Sequence, residues 1–426
     1  MSGELAVYLD GAEIGTLTQS PGGAISFSYD DRYRDMRHAT PLSLSLPLAR
    51  GTHKNKPTRA YLQGLLPDAE GRLAELGREY RVSPNNPFAL LTHVGRDAAG
   101  AVQILPAGQS SPDAARQQGD VTVLDSTEFG ALVADVIANR DTWGRRETQA
   151  RWSLPGAQPK VALFRTRSGD WAIPNDSTPT THVVKPAVPP FSDHHINEFM
   201  TMAAARHLGL HVAQDFLVTT DRGDQAFVSE RYDRVERGGR WVRLHQEDLC
   251  QALGVPPSLK YQADGGPGIK RIAQLFRALP DPEDRRLNAA RFFDAIVFSV
   301  ATQGTDAHAK NYSLMLTGDR ATLAPLYDLS SFAPYRTSRP VELAMAVAGQ
   351  YRASAIGVPD LLAAASTLGL DSETAHDRVA EITGGVAEAY ARSADEARSV
   401  LGPNVFIGEL ATSIHTYAVD RGWSAP

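Results

Sequence analysis

Between Arg291 and Tyr335 the sequence sets Asp306, His308, Lys310 and Asn311 close together and adds Asp328 shortly afterwards. Phosphoryl transfer to a hydroxyl needs one carboxylate to accept the hydroxyl proton. It also needs an amide and a second carboxylate to hold a divalent cation against the nucleotide phosphates. Asp306, Asn311 and Asp328 supply those groups, and spacing alone leaves the two aspartates interchangeable. An acidic surface loop is the plainer reading of the same residues. A metallohydrolase with Asp306, His308 and Asp328 as ligands is another, but it leaves a distant lysine, Lys185, without a role.

The elements that must position these residues are legible around them. An apolar block (Phe292, Phe293, Ala295, Ile296, Val297, Phe298, Val300) predicts a buried helix about three turns long, after which the polar residues arrive in a loop. A short alternating strand (Tyr312, Leu314, Leu316), a turn at Gly318-Asp319 and a second strand, Leu323 to Tyr327, would deliver Asp328. Asp306-Ala-His-Ala-Lys-Asn311 has the Asp-x-x-x-x-Asn spacing of the protein-kinase catalytic loop, and a metal-binding Asp after a hairpin is part of that pattern.

Upstream residues come in the order a kinase needs them. Thr180 to Lys185 is an apolar strand ending in one lysine, a candidate phosphate ligand, and Asn197-Glu198 opens an amphipathic helix from which Glu198 would orient Lys185. A first-turn glutamate favouring the helix dipole is the alternative. Ser153 to Lys160 (SLPGAQPK) is a turn-rich loop whose backbone N–H groups would cradle phosphates, although its single glycine matches neither standard phosphate-loop pattern and a plain hairpin connection reads as well. The strands Phe216 to Thr219 and Gln225 to Ser229 run into Glu230-Arg231-Tyr232, the expected hinge to adenine. A surface ion-pair cluster of Glu230, Arg231, Asp233 and Arg234 is the structural alternative there.

The chain divides on composition into 1–108, a β-rich unit with helices at Arg59–Leu66, Leu73–Tyr80 and Phe88–Val94; 109–150, a polar connection with one helix from about Ser126; 151–236, the nucleotide-binding strands; and 237–426, mostly helical. Within the last part, Leu244 to Gly254 reads as a helix. His93, Arg96 and Asp97 read as a satisfied loop network. The 426 residues carry a net charge of -6, which argues against a general affinity for nucleic acid. The single cysteine, Cys250, precludes an intramolecular disulfide and a cysteine-based zinc site. With neither a signal peptide nor an apolar run of membrane length, a cytoplasmic protein with no membrane partner is expected.

Several stretches resemble the HipA family of bacterial serine/threonine kinases, the toxin halves of toxin–antitoxin pairs: SLPGAQPKVAL (153–163), TTHVVKP (180–186), SERYDR (229–234), LHQEDLCQALG (244–254), KYQADGGPGI (260–269), GTDAHAKNYSL (304–314), LAPLYDLSS (323–331) and, nearer the N-terminus, YLQGLLPD (61–68) and LLTHVGRDAAGAV (90–102). The resemblance implies an α+β, two-lobed protein-kinase-like fold with an additional N-terminal β-rich subdomain and a mostly helical C-terminal lobe. It also implies a set of roles. Asp306 is the catalytic base, Asn311 and Asp328 hold Mg²⁺, and Lys185 contacts phosphate. Pro155, Gly156, Ala157, Gln158, Pro159 and Lys160 form the nucleotide loop, Glu230, Arg231 and Tyr232 the hinge, and His308 and Lys310 line the phosphates of ATP, with Tyr327 beside the metal-binding Asp328. Ser153 is the autophosphorylation position. The implied partners are a small helix-turn-helix, HipB-like antitoxin, through which alone DNA would be met, and a protein substrate, an aminoacyl-tRNA synthetase. A nucleotide-binding corepressor without kinase activity is the alternative function.

Overall fold

The computed structural model describes residues 3–107, 112–139, 152–189, 192–335 and 337–424. Among the described residues, three large hydrophobic cores and one small cluster organise the chain. The first lies under a five-stranded antiparallel sheet of order β4-β3-β2-β1-β5, built from β1 (Gly3–Leu9), β2 (Ala12–Gln19), β3 (Ile25–Tyr29), β4 (Thr52–His53) and β5 (Val102–Pro106). Alternating Ile25, Phe27 and Tyr29 point inward from β3 and meet Tyr61, Leu62 and Leu65 at the end of the helix Asn55–Gly64.

A second sheet of six strands, order β10-β11-β9-β7-β8-β6, contains β6 (Val121–Leu124), β7 (Val161–Arg165), β8 (Trp171–Pro174), β9 (His182–Pro186), β10 (Asp215–Thr219) and β11 (Gln225–Glu230). The segment expected to be a connection with one helix has that helix, Ser126–Ala138, which packs Phe129, Val133 and Val136 into the core of this sheet, and adds an unexpected edge strand, β6. The helix begins with a capping box between Asp125 and Glu128. Residues 140–151 of that expected connection lie outside the described residues.

The third core is the largest and mostly helical. Its central helix, Pro282–Ala301, starts from an Asp281 cap and a proline in the first turn, and it extends well upstream of the apolar block read from the sequence. On one face of that helix, buried Asp284 accepts from the Ala321 amide at 3.0 Å and from Arg320 at 2.6 Å. One turn on, Asn288 donates to the Ala321 carbonyl at 2.8 Å and accepts from the Leu323 amide at 2.6 Å. These bonds fix the hairpin of β15 (Ser313–Thr317) and β16 (Arg320–Leu323) on the helix.

Two readings of local structure are corrected. Leu244–Gly254 is not one helix: β12 (Arg234–Arg237) and β13 (Arg240–Arg243) pair, β14 (Gln246–Asp248) joins β15, and only Leu249–Ala252 is helical, capped by Asp248. Sheet pairing and burial of Glu247, which accepts from the Leu44 amide at 2.8 Å, override the helical spacing. The second hairpin strand ends at Leu323 rather than Tyr327. Ala324 still donates to the Ser313 carbonyl at 2.8 Å, after which Leu326 forms a single bridge to Val212: Leu326 donates to the His211 carbonyl at 2.7 Å and Ala213 donates to the Leu326 carbonyl at 2.9 Å. A further pair, β17 (Glu342–Val347) and β18 (Gln350–Arg352), has no counterpart in the sequence reading.

Candidate functional site

The second sheet and the helical core meet along a cleft of about 490 Å³. Of the residues singled out in the sequence, Pro155, Gly156, Ala157, Gln158, Lys160, Lys185, Glu230, Arg231, Tyr232, Asp306, His308, Lys310, Asn311, Tyr327 and Asp328 all line it, whereas Ser153 and Pro159 do not. Residues dispersed over about two fifths of the chain are thus brought to one seam.

Lys185 leaves β9 and lies 2.5 Å from Glu198 and 2.6 Å from Asp328. An ammonium has three donors, so one remains for a third acceptor. Burial alone would lower the Lys185 pKa, but Asp328 and Glu198 outweigh it and keep the side chain charged. Burial likewise opposes ionisation of Asp328, yet Lys185 and Lys160 hold that carboxyl well below the usual range. Glu198, with one oxygen unpartnered, is pushed up to about 7 by burial in spite of Lys185. Asp328 sits at φ 57, in the left-handed region that a non-glycine residue rarely adopts.

Two bonds brace this ion triad. Asn197, beside Glu198, donates to the Ser331 carbonyl at 2.7 Å and accepts from the Ser331 amide at 2.8 Å, which ties the helix His194–His207 to the irregular segment following Asp328. That helix is buried on nearly every face and packs along the helix Ser372–Leu401. It starts one turn earlier than its sequence pattern predicts, which puts Glu198 in its second turn rather than its first.

Across the cleft, the Asp306 side chain is 48% exposed and accepts a hydrogen bond from the Tyr261 hydroxyl. The Asn311 amide donates to the Asp306 carbonyl at 2.8 Å, which leaves its own oxygen as an acceptor. His308 Nε2 lies 3.7 Å from Asp306, and burial lowers the His308 pKa, so the ring is neutral at pH 7. Lys310 turns away from Asp306 and reaches Asp68 of the N-terminal unit at 2.5 Å; Lys260 reaches the other oxygen of Asp68 at 3.2 Å. Asp68, Lys260 and Tyr261 were not singled out in the sequence. The stretch YLQGLLPD carries Asp68, but nothing local predicts that its carboxylate meets a lysine so far along the chain.

In the 153–160 loop, Gly156 has φ 106, and a Cβ there would fall 2.5 Å from Lys160 Nζ, so only glycine fits. The Asp68 amide donates to the Gly156 carbonyl at 3.1 Å, and Lys160 donates to the Pro155 carbonyl at 2.8 Å. Burial, then the like charge of Lys185, lowers the Lys160 pKa to about 8. Ser153 is 1% exposed and donates to the Leu65 carbonyl at 2.7 Å.

At the expected hinge, the alternative of a surface ion cluster is corrected by depth. Arg231 and Arg234 are buried and bind Asp97 at 3.2 and 2.9 Å, and Arg231 also binds Asp233 at 2.9 Å. Burial opposes the charge on Asp97, but Arg234, Arg231 and Arg243 outweigh it and hold the carboxyl far below its ordinary range. Asp97 is therefore a structural centre, as its loop sequence suggested, while His93 stacks on Tyr80 at 4.3 Å. The Arg231 side chain is consumed by this network. Tyr232 instead faces Tyr327, with ring centroids 5.6 Å apart.

The donor set decides which cation fits. Among the described residues no group of three His, Cys, Asp or Glu side chains could hold a metal, which removes the metallohydrolase arrangement of Asp306, His308 and Asp328. One carboxylate and one amide oxygen suit a hard cation that keeps waters and takes phosphate oxygens for its remaining positions, as Mg²⁺ does.

A strand lysine paired with a helix glutamate, facing a catalytic-type loop across the seam of two lobes, is the architecture of a protein kinase. The comparisons with known proteins narrow this class. The HipA N-terminal domain profile matches residues 5–105 and the HipA-like C-terminal domain profile matches 152–390. The Sinorhizobium fredii protein Y4mE is 33% identical over 412 residues, 96% of each chain. The serine/threonine-protein kinase toxin HipA of Shewanella oneidensis is 31% identical over 355 residues, 78% of this chain and 75% of that one. A solved structure of Shewanella oneidensis HipA with HipB and operator DNA superposes with a TM-score of 0.81 at 27% identity, covering 98% of this chain and 96% of that one. The chain belongs to the HipA family and is a serine/threonine-protein kinase. No helix among its described residues is long and apolar enough to cross a membrane.

Proposed function

We propose that this kinase is the toxin of a toxin–antitoxin pair, that it uses ATP and Mg²⁺, and that it phosphorylates a component of translation, an aminoacyl-tRNA synthetase, in the cytoplasm. The observation that carries the reading is the placement of Lys185 between Glu198 and Asp328, opposite Asp306. Val183, Tyr232 and Tyr327 form the apolar wall for adenine, and the spare donor of Lys185, with Lys160, takes phosphate oxygens. Asn311 and Asp328 are the metal ligands; bound there, Mg²⁺ offsets negative charge on the transferring group.

Asp306 accepts the proton of a serine or threonine hydroxyl as that oxygen bonds to the γ-phosphorus and the bond to the β-phosphate oxygen breaks. Tyr261 fixes the orientation of the carboxylate. The HipB-bound relative supports a small helix-turn-helix, HipB-like antitoxin as partner, with DNA met through it. Ser153 is the autophosphorylation site, and its burial requires the loop to leave its present position before the hydroxyl is modified.

The test is transfer of ³²P from ATP to cell-extract proteins by the wild type and by Asp306→Ala. We expect labelled bands, including an aminoacyl-tRNA synthetase, from the wild type, and a loss of about 10²-fold or more in the variant. Nucleotide binding without any transfer by the wild type would instead establish the corepressor alternative.

A further inference from the structure

A second groove of about 410 Å³ opens beside the cleft. One wall comes from the N-terminal unit, with Leu66, Leu73 and Asn85; the other comes from Pro257 to Asp264 of the helical lobe. Asp68, Ala157 and Lys260 line both the groove and the cleft, so the two spaces share a partition made of the nucleotide loop and one salt bridge. Tyr261 lines the groove, and its hydroxyl is bonded to Asp306, which lines the cleft. A chain lying in the groove therefore ends beside the carboxylate that faces the phosphates.

We propose that this groove binds the acceptor polypeptide in an extended form, with the N-terminal unit supplying half of the binding surface. The proposal rests on the kinase reading of the cleft and adds what that reading lacks, a place for the substrate. Continuity with the cleft selects this occupant over a small molecule. The half-buried Leu73 and Pro257 suit apolar side chains flanking the acceptor residue, while the exposed Asn85 and Ser258 offer hydrogen bonds to an extended backbone. Asp68 is shared by Lys260 and Lys310, so with Asp264 the charges around the groove balance and uncharged flanks fit best.

Asn85→Trp and Ser258→Trp fill the groove from opposite walls at exposed positions that touch neither Asp306 nor the nucleotide loop. The full-length protein is presented with ³²P-labelled ATP and an array of peptides carrying a central serine and varied flanks. The expected result is a preference for apolar flanks in the wild type and, for the best peptide, a KM raised about tenfold or more in each variant, with kcat and the KM for ATP within about twofold. Unchanged peptide KM in both variants, with the wild type active, overturns the groove assignment. Absence of transfer by the wild type to every peptide and to cell-extract proteins overturns the kinase reading, and the groove with it.

Discussion

Asp68 and Lys310 form an ion pair of 2.5 Å across 242 residues of sequence, linking the N-terminal unit to the loop that carries Asp306 and Asn311. Lys260 shares the same carboxylate. Burial would favour a neutral Asp68, but Lys310 and then Lys260 hold its pKa below the ordinary value. The N-terminal unit thus supplies part of the framework of the cleft.

Replacing Asp68 by Asn should leave Lys310 buried without its ion-pair partner and let the loop around Asn311 shift. We expect kcat to fall about tenfold or more and the melting temperature to drop, since breaking a buried pair on one side costs about 3–5 kcal/mol. Steady-state kinetics and a thermal melt check both parts. Lys310→Met in the Asp68→Asn background should recover part of the lost stability but not the rate.

Lys185→Met is predicted to cost more. It brings Glu198 and Asp328 together without the cation between them, and it removes the phosphate donor. Transfer should fall by about 10²-fold or more, and ATP affinity measured by calorimetry should weaken as well. A variant that transfers phosphate at the wild-type rate would remove Lys185 from the mechanism.

The pH dependence of nucleotide binding should report Lys160. Its pKa in the folded protein, about 8, lies below the ordinary lysine value, so the cation is present below pH 8 and is lost as the pH rises through it. The Kd for ATP should therefore increase between pH 7 and pH 9. Lys160→Gln should bind more weakly at pH 7 and show little change over that range.

Ser153→Asp places a charge where only the Leu65 carbonyl waits. Such a charge cannot be buried without a partner, so the 153–160 loop should leave the cleft. ATP binding is expected to weaken about tenfold or more, with faster amide exchange across 153–160, whereas Ser153→Ala should stay within about threefold of the wild type.

Much of this site is legible in the sequence because its local parts follow local rules. The strand ending in Lys185, the alternation of β3 and the spacing from Asp306 to Asn311 each depend on a few neighbouring residues. Tertiary pairings decided the rest. Leu244–Gly254 has helical spacing but is claimed by β15, and the connection before Trp152 gains a strand only because β8 offers it an edge. Asp68 could not be found by pattern, since its role depends on two lysines from the far end of the chain. Asp97 was read as a satisfied loop residue, yet the depth of its arginine cluster depends on three segments meeting.

The long helix Ser372–Leu401 supports the helix that carries Glu198, and so sets a time as well as a place. During synthesis, the lysine, its glutamate partner and the Asp306 loop all leave the ribosome before that support exists. Activity must wait for Ser372–Leu401 to be made, and a protein truncated before Ser372 should be made without ever becoming a working kinase.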